Sequence, residues 1–285
     1  MSKKYVILGA NGQLGKALRG IFPEARALSR EELDIANEAQ VSVFDWSKYD
    51  TIINAAAYVN ADDSETYEGR IKTWQVNAGG VRNLANAAIN NNKTLVHYSS
   101  EYVFDGRHKN HTEDEPLSPL SVYGQTKAAS ELIASSVPKH YILRTTWVVG
   151  DGHNFPKTMK RLADMRINPK VVNDQFGRLT FASEIARATK HLLDVSADFG
   201  IYNITNSGPI KSWYEIASDV FEYAGYDRER VSAVSTKEYA ADKTTFAPRP
   251  ANSDLDLTKL QKTGFEPRNF ELALREYVKQ LSNVD

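Results

Sequence analysis

The segment Gly9-Ala10-Asn11-Gly12-Gln13-Leu14-Gly15 lies directly between a short apolar run, Tyr5 to Leu8, and a stretch that repeats Leu14, Ala17, Leu18 and Ile21 at helical spacing. Strand, glycine turn and helix in that order open a βαβ unit, and glycine allows the chain to turn tightly and lets another group approach its backbone. The spacing is GxxGxxG instead of the commoner GxGxxG. A glycine-rich turn alone also serves as an ordinary connection. Its place at the end of the first strand, where unpaired helix amides can receive a pyrophosphate, makes it a dinucleotide-binding signature.

The same rhythm continues down the chain. Ala25 to Leu28, Thr51 to Ile53, Leu95 to Tyr98 and Tyr141 to Leu143 read as further strands, and the segment from about Tyr67 to Asn91 as one long helix. A second helix is expected over Ser121 to Ala134. The predicted class is α/β, a doubly wound, Rossmann-like parallel sheet with a smaller C-terminal substrate lobe. Residues 1–150 form the dinucleotide-binding part, with sheet and cover continued by 171–204. Residues 205–285, with part of 151–170, form the smaller lobe.

Composition narrows the function classes. The 285 residues carry 35 Lys plus Arg against 36 Asp plus Glu, a balance that lacks the basic surplus of a nucleic-acid binder. With no cysteine, disulfides, a thiol nucleophile and thiolate metal sites are excluded. The start, Met1-Ser2-Lys3-Lys4, enters an apolar run too short for a signal peptide, and no stretch approaches the ~20 apolar residues of a membrane helix. A cytoplasmic protein is expected. His108 and His111 read as solvated loop histidines and Glu113-Asp114-Glu115 as a solvated acidic turn, so no metal is expected. Trp213, Tyr214 and Phe221 read as core.

After the second strand, Ser29 and Arg30 stand where an NAD-preferring site would carry an acid. An arginine there can pair with a 2'-phosphate, which favours NADPH over NADH; a solvated charge at a helix start is the alternative. Tyr123 and Lys127, four apart on a helix, share a face. An ammonium close to the phenol would lower its pKa from ~10 and make it a better proton donor to a carbonyl. The spacing alone is equally that of a surface Tyr-Lys pair. Ser100, just past the fourth strand, adds a hydroxyl that could bond the same oxygen.

The GxxGxxG turn, Ser100 and the YxxxK helix resemble the extended short-chain dehydrogenase/reductase superfamily. The segments Asn54 to Tyr58, His97 to Gly106, Ser118 to Lys127, Arg144 to Val148, Asn154-Phe155, Val172 to Gln175 and Arg249 to Ser253 resemble, within it, the dTDP-4-dehydrorhamnose reductase family. The resemblance implies NAD(P)H-dependent reduction of the C4 ketone of dTDP-4-dehydro-L-rhamnose. It implies Tyr123 as proton donor, Lys127 on the nicotinamide ribose and Ser100 on the carbonyl. It places Gly9, Asn11, Gly12, Gln13 and Leu14 at the pyrophosphate, and Ser29, Arg30, Asp34 and Ile35 near the adenosine. Ala55, Ala56, Ala57, Tyr58 and Tyr98 would also border the cofactor. Val59, Glu101, Trp147, Asn173, Gln175 and Arg249 would meet the sugar nucleotide, Arg249 at its diphosphate.

Ser100 and Glu101 stand where the family more often has Thr and Asp, and Val59-Asn60-Ala61-Asp62 replaces its usual Thr-Ala-Val-Asp, which leaves the C4 epimer, dTDP-6-deoxy-L-talose, as an alternative product. Ala17 replaces a glutamate that binds magnesium at a dimer interface in some members, so a monomer or weak homodimer is expected. A 4,6-dehydratase would need two carboxylates after Ser100, but Glu101 is followed by Tyr102. A catalytically silent NADP-binding regulatory subunit of the same fold remains the other alternative.

Overall fold

The computed structural model describes residues 3–282; Met1 and Ser2, part of the expected leaderless start, and the last three residues of the expected C-terminal lobe lie outside them. Six parallel strands form the central sheet: β1 (Tyr5–Leu8), β2 (Arg26–Leu28), β3 (Thr51–Asn54), β4 (Thr94–Ser100), β5 (His140–Thr145) and β10 (Gly200–Asn203). Their order, β10-β5-β4-β3-β1-β2, reverses direction between β1 and β3. Ligands of open α/β sheets bind in the crevice beyond the carboxyl ends of the strands at such a reversal. The Gly9 turn follows β1 and the Ala55–Tyr58 segment follows β3, so both open onto it.

Alternation along each strand covers both faces. Val6, Leu8 and Ile52 pack under the helix Val81–Asn90, whereas Ile7, Ile53 and Val96 pack under the helix Ala182–Asp194. These side chains are wholly buried, and each contributes about 2 kcal/mol by leaving water.

Short strand pairs carry the rest: β6 (Val148–Val149) with β9 (Thr180–Phe181), β7 (Lys170–Val172) with β12 (Ser232–Val234), and β8 (Phe176–Gly177) with β11 (Lys211–Ser212). Val171 and Val172 therefore do not extend the central sheet. Val171 belongs with a separate apolar cluster that joins the helices Phe155–Asp164, Trp213–Tyr223 and Phe270–Ser282.

The expected long helix after β3 is interrupted. Tyr67–Trp74 and Val81–Asn90 are α-helical, and Gln75–Gly80 between them is a π-helical turn. The wider turn carries Asn77, whose amide binds both the N–H and the C=O of Tyr58 and reaches Thr126.

Two readings of the charged loop need correction. His111 is fully buried, stacked 4.6 Å from Phe104, with its Nδ1 2.8 Å from Glu115. Glu113 also turns inward and accepts the Asn203 N–H at 2.9 Å. The loop is anchored because Arg144, buried and paired with Glu131, donates to the carbonyl of Glu113. Among the described residues no helix is long and apolar enough to cross a membrane.

Candidate active site

The site begins where β4 ends. Ser100 closes the strand, and its Oγ accepts from Tyr102 N–H at 3.3 Å, fixing the short 3-10 turn Glu101–Val103. The helix Val122–Ser135 starts beside that turn, capped by Ser121. Gly124 permits the approach, since a Cβ there would stand 2.3 Å from the Tyr102 carbonyl oxygen. Tyr123 thereby meets Tyr102 edge-on at 5.4 Å, and its phenol comes under the influence of the Ser100 hydroxyl.

Burial raises the Tyr123 phenol above its ordinary pKa, with the neighbouring Glu101 and Tyr102 acting in the same direction, while the Ser100 bond opposes them. Lys127 is not among the groups that shift it, contrary to the tuning expected from the i,i+4 spacing. The ammonium is buried and donates to the Tyr98 carbonyl at 2.6 Å. Burial lowers Lys127 to about 8 against the upward pull of Glu131. A backbone oxygen of β4 holds the cation that the sequence suggests for the phenol.

Glu101 is buried, its Oε2 accepting from Ser100 at 2.7 Å and its Oε1 from Thr146 at 3.0 Å. Burial pushes this carboxyl up to about 7 even though these hydroxyls, and Ser253, favour its charged form.

Beneath the pair runs a second buried chain. The Asn54 carbonyl oxygen accepts the Ala56 N–H, so its amide donates to His97 Nδ1. His97 Nε2 then donates to Ser130, which donates to the Lys127 carbonyl. Burial holds His97 well below its usual pKa, helped by the nearby Lys127 charge.

A cavity of about 250 Å³ occupies the crevice between β1 and β3, lined by Gly9, Asn11, Gly12, Arg30, Asp34, Ile35 and Ala55 to Tyr58, with Glu31, Leu33 and Val76. Gly9 has φ +75, and a Cβ on it would meet Ala56 N at 2.6 Å. Gly12 caps the helix Gln13–Ile21 without a side-chain bond, leaving first-turn amides for an anion. A Cβ on Gly12 would touch only the Gly9 carbonyl, at 3.4 Å. These features fit a dinucleotide. Arg30 is ion-paired to Asp34 at 3.4 Å. Ser29 lies outside the cavity wall, its N–H donating to Glu32 at 2.8 Å. The Gln13 side chain is held by Gly150 N–H and the His153 carbonyl, so only its backbone faces the helix start. Leu14 packs into the core behind it. The Tyr98 phenol bonds Thr189 on the opposite face of the sheet, leaving its carbonyl to hold Lys127.

A second cavity, about 550 Å³, is lined by Tyr102, Phe155, Gln175, Trp213, Tyr239, Phe246 and Arg249 among others. Trp147 stacks on Trp213 at 3.7 Å. The Gln175 amide donates to Thr236 at 3.0 Å. Arg249 lies over Phe246 at 4.1 Å and is held by both oxygens of Asp62, at 2.9 and 3.0 Å. Val59, 72% exposed, and Asn173, also exposed, stand outside both walls.

Several wall residues escape the sequence reading. Trp213 is one, expected only as core; Phe221 is core, as its apolar spacing suggests. Tyr102 and Phe246 are others, and their sole signal is proximity to Ser100 and Arg249 in the chain.

A glycine-turn cavity at the reversal of a doubly wound sheet, beside a Ser-Tyr-Lys set, defines a reductase of the short-chain dehydrogenase/reductase class. The model of the RmlD substrate binding domain matches residues 3–283. The dTDP-4-dehydrorhamnose reductase of Aggregatibacter actinomycetemcomitans is 40% identical over 95% of this chain and 97% of its own. The crystal structure of a dTDP-4-dehydrorhamnose reductase from Clostridium acetobutylicum is 35% identical, with a TM-score of 0.90 over 98% of this chain and 99% of its own. One from Bacillus anthracis, in complex with NADP, is 32% identical, with a TM-score of 0.89 over 100% of both chains. The chain belongs to the dTDP-4-dehydrorhamnose reductase family.

Proposed function

We propose that this protein reduces the C4 ketone of dTDP-4-dehydro-L-rhamnose to dTDP-L-rhamnose for cell-surface polysaccharide, with NADPH as reductant and NADH as the alternative donor. The observation that carries the reading is the Ser100-Tyr123 hydroxyl pair, set beside Tyr102 in the wall of an aromatic cavity that also holds Arg249. The cofactor, when bound, supplies the hydride. Tyr123, kept protonated by its burial, holds a proton at its phenol oxygen and passes it to the keto oxygen as negative charge develops there. Ser100 donates to the same oxygen and orients it.

Lys127 would move its ammonium between the Tyr98 carbonyl and the nicotinamide ribose. The amides of Gln13 and Leu14 would hold the pyrophosphate, and Arg30 with Asp34 the adenosine end. Trp147, Trp213 and Gln175 would surround the sugar nucleotide, and the Arg249 fork would take its diphosphate, a match to paired phosphate oxygens. Residues 1–150, with the helix Ala182–Asp194 and β10, act as cofactor lobe and the remainder as sugar lobe. We place the enzyme in the cytoplasm as a monomer or weak homodimer. NADPH absorbance should fall when the keto sugar is added to enzyme and NADPH, and should hold steady without it. An unchanged signal with both present would rule the reading out.

A further inference from the structure

The Ser100 hydroxyl has one proton and two acceptors competing for it. It points at Glu101 Oε2, 2.7 Å away, yet on the reading above it must donate to the keto oxygen. A serine hydroxyl donates once and accepts twice. While Glu101 is a carboxylate it only accepts, and the proton stays committed to it. Once Glu101 is neutral, its own O–H can donate to Ser100 Oγ, and the serine proton is free to turn toward the reacting oxygen.

The surroundings favour that neutral form. Glu101 is 2% exposed, and none of the ion pairs among the described residues includes it. A buried carboxylate without a cation is costly unless it takes up a proton. The groups packed around it are Tyr102 on its own turn, Tyr123 on the facing helix, Thr146 after β5, and Ser253. Arg249 and Asp62 act on Tyr102 from its other side, and Lys127, one turn beyond Tyr123, is aimed at Tyr98. Thr146 fixes the carboxyl's rotation, since its hydroxyl donates to Oε1 and leaves Oε2 for Ser100.

We propose that Glu101 is a positioning residue that, as the neutral acid, holds the Ser100 hydroxyl as a donor to the reacting oxygen and, as the carboxylate, withdraws it. The site then carries its own pH gate. Protonation of Glu101 switches the serine on, and activity falls as pH rises through the Glu101 titration at about 7. The inference rests on the reductase reading only for the identity of the reacting oxygen.

The test is Glu101→Gln, whose amide nitrogen donates to Ser100 while its oxygen accepts from Thr146, a permanent copy of the neutral acid. Wild-type kcat should drop about tenfold or more across the titration, the scale of losing one donor to a developing oxyanion. In Glu101→Gln the ratio of kcat above to below that midpoint should rise well above the wild-type value. Lys127, held down to about 8, is common to both proteins, so the Glu101 contribution is the difference between the two pH profiles.

Thr146→Val, which removes a bond favouring the carboxylate, should move the wild-type drop to higher pH. Infrared spectra of the holoprotein give a readout independent of turnover. A carboxylic-acid band absent from Glu101→Gln should bleach in wild type with the same midpoint.

The same drop in Glu101→Gln as in wild type, an unmoved drop in Thr146→Val, or no such band below the midpoint would each overturn the proposal. Wild type that binds NADPH but turns over no keto sugar would instead contradict the reductase reading, and the infrared titration would still decide the state of Glu101.

Discussion

Tyr123 has a proton to give because its surroundings oppose its loss. Burial, Glu101 and Tyr102 all hold the phenol neutral, so it can act as an acid only against an oxygen that is becoming an alkoxide. Tyr123→Phe keeps the ring against Tyr102 and removes that proton. It should lower kcat by about 10²- to 10⁴-fold while NADPH affinity, followed by fluorescence titration, stays at the wild-type value. The placement of Ser100 at a strand end and of Tyr123 and Lys127 on one helix is legible in the sequence, because strand ends and helical spacing are local properties. The tuning of Tyr123 was not, since Lys127 is drawn to the Tyr98 carbonyl and the raising influence comes from Glu101. The burial of Glu101 depends on Thr146 and Ser253, which only the folded chain brings near it.

Among the elements, the glycine turn divides its labour. Gly15 is required by packing, as a Cβ would lie 2.1 Å from the Gly9 carbonyl, whereas Gly12 has ordinary φ of -71 and a Cβ there would meet only the Gly9 carbonyl, at 3.4 Å. Gly12→Ala should therefore melt at the wild-type temperature yet bind NADPH about tenfold or more weakly, because the methyl stands where the backbone meets the pyrophosphate. Equal loss of stability and binding would contradict this division.

The His97 chain ties the end of β3 to the helix Val122–Ser135. Folding lowers His97 below its unfolded pKa of ~6.5, so below that pH the unfolded chain takes up a proton that the folded chain refuses, and folded stability drops. His97→Gln should cost about 1 to 3 kcal/mol near neutrality, and the gap in urea midpoints between the two proteins should narrow as pH falls below about 6.5. A constant gap would mean that His97 does not titrate on unfolding. Strands and most helices followed from periodicity, but the π-helical turn at Gln75–Gly80 did not. Its residues fit a continuous helix locally, and the turn is stabilised by Asn77 reaching Tyr58 and Thr126.

Across the whole molecule, the ion pair of Asp62 and Arg249 joins the segment after β3 to the C-terminal region. Its carboxylate takes both bonds from Nη2 of the guanidinium, a donor for which a diphosphate would compete on the proposed reading. Arg249→Lys, which keeps the charge and loses the fork, should raise KM for the sugar nucleotide about 10- to 100-fold, matching a charge-assisted bond of ~1.5 to 3 kcal/mol. NADPH affinity should be untouched; a KM that does not move would remove Arg249 from the diphosphate site. The doubly wound sheet was readable from the alternation of apolar runs. The small strand pairs were not, because two or three residues leave no periodic signal, and β7 finds its partner only in β12. The central claim is hydride delivery to C4 of a keto sugar, with Tyr123 protonating the oxygen. Incubating the protein with NADPH deuterated at the transferable position and with dTDP-4-dehydro-L-rhamnose, and reading the product by NMR, tests it most directly. The expected product is dTDP-L-rhamnose with deuterium at C4; unlabelled C4, or a product of the talose configuration, would overturn the assignment.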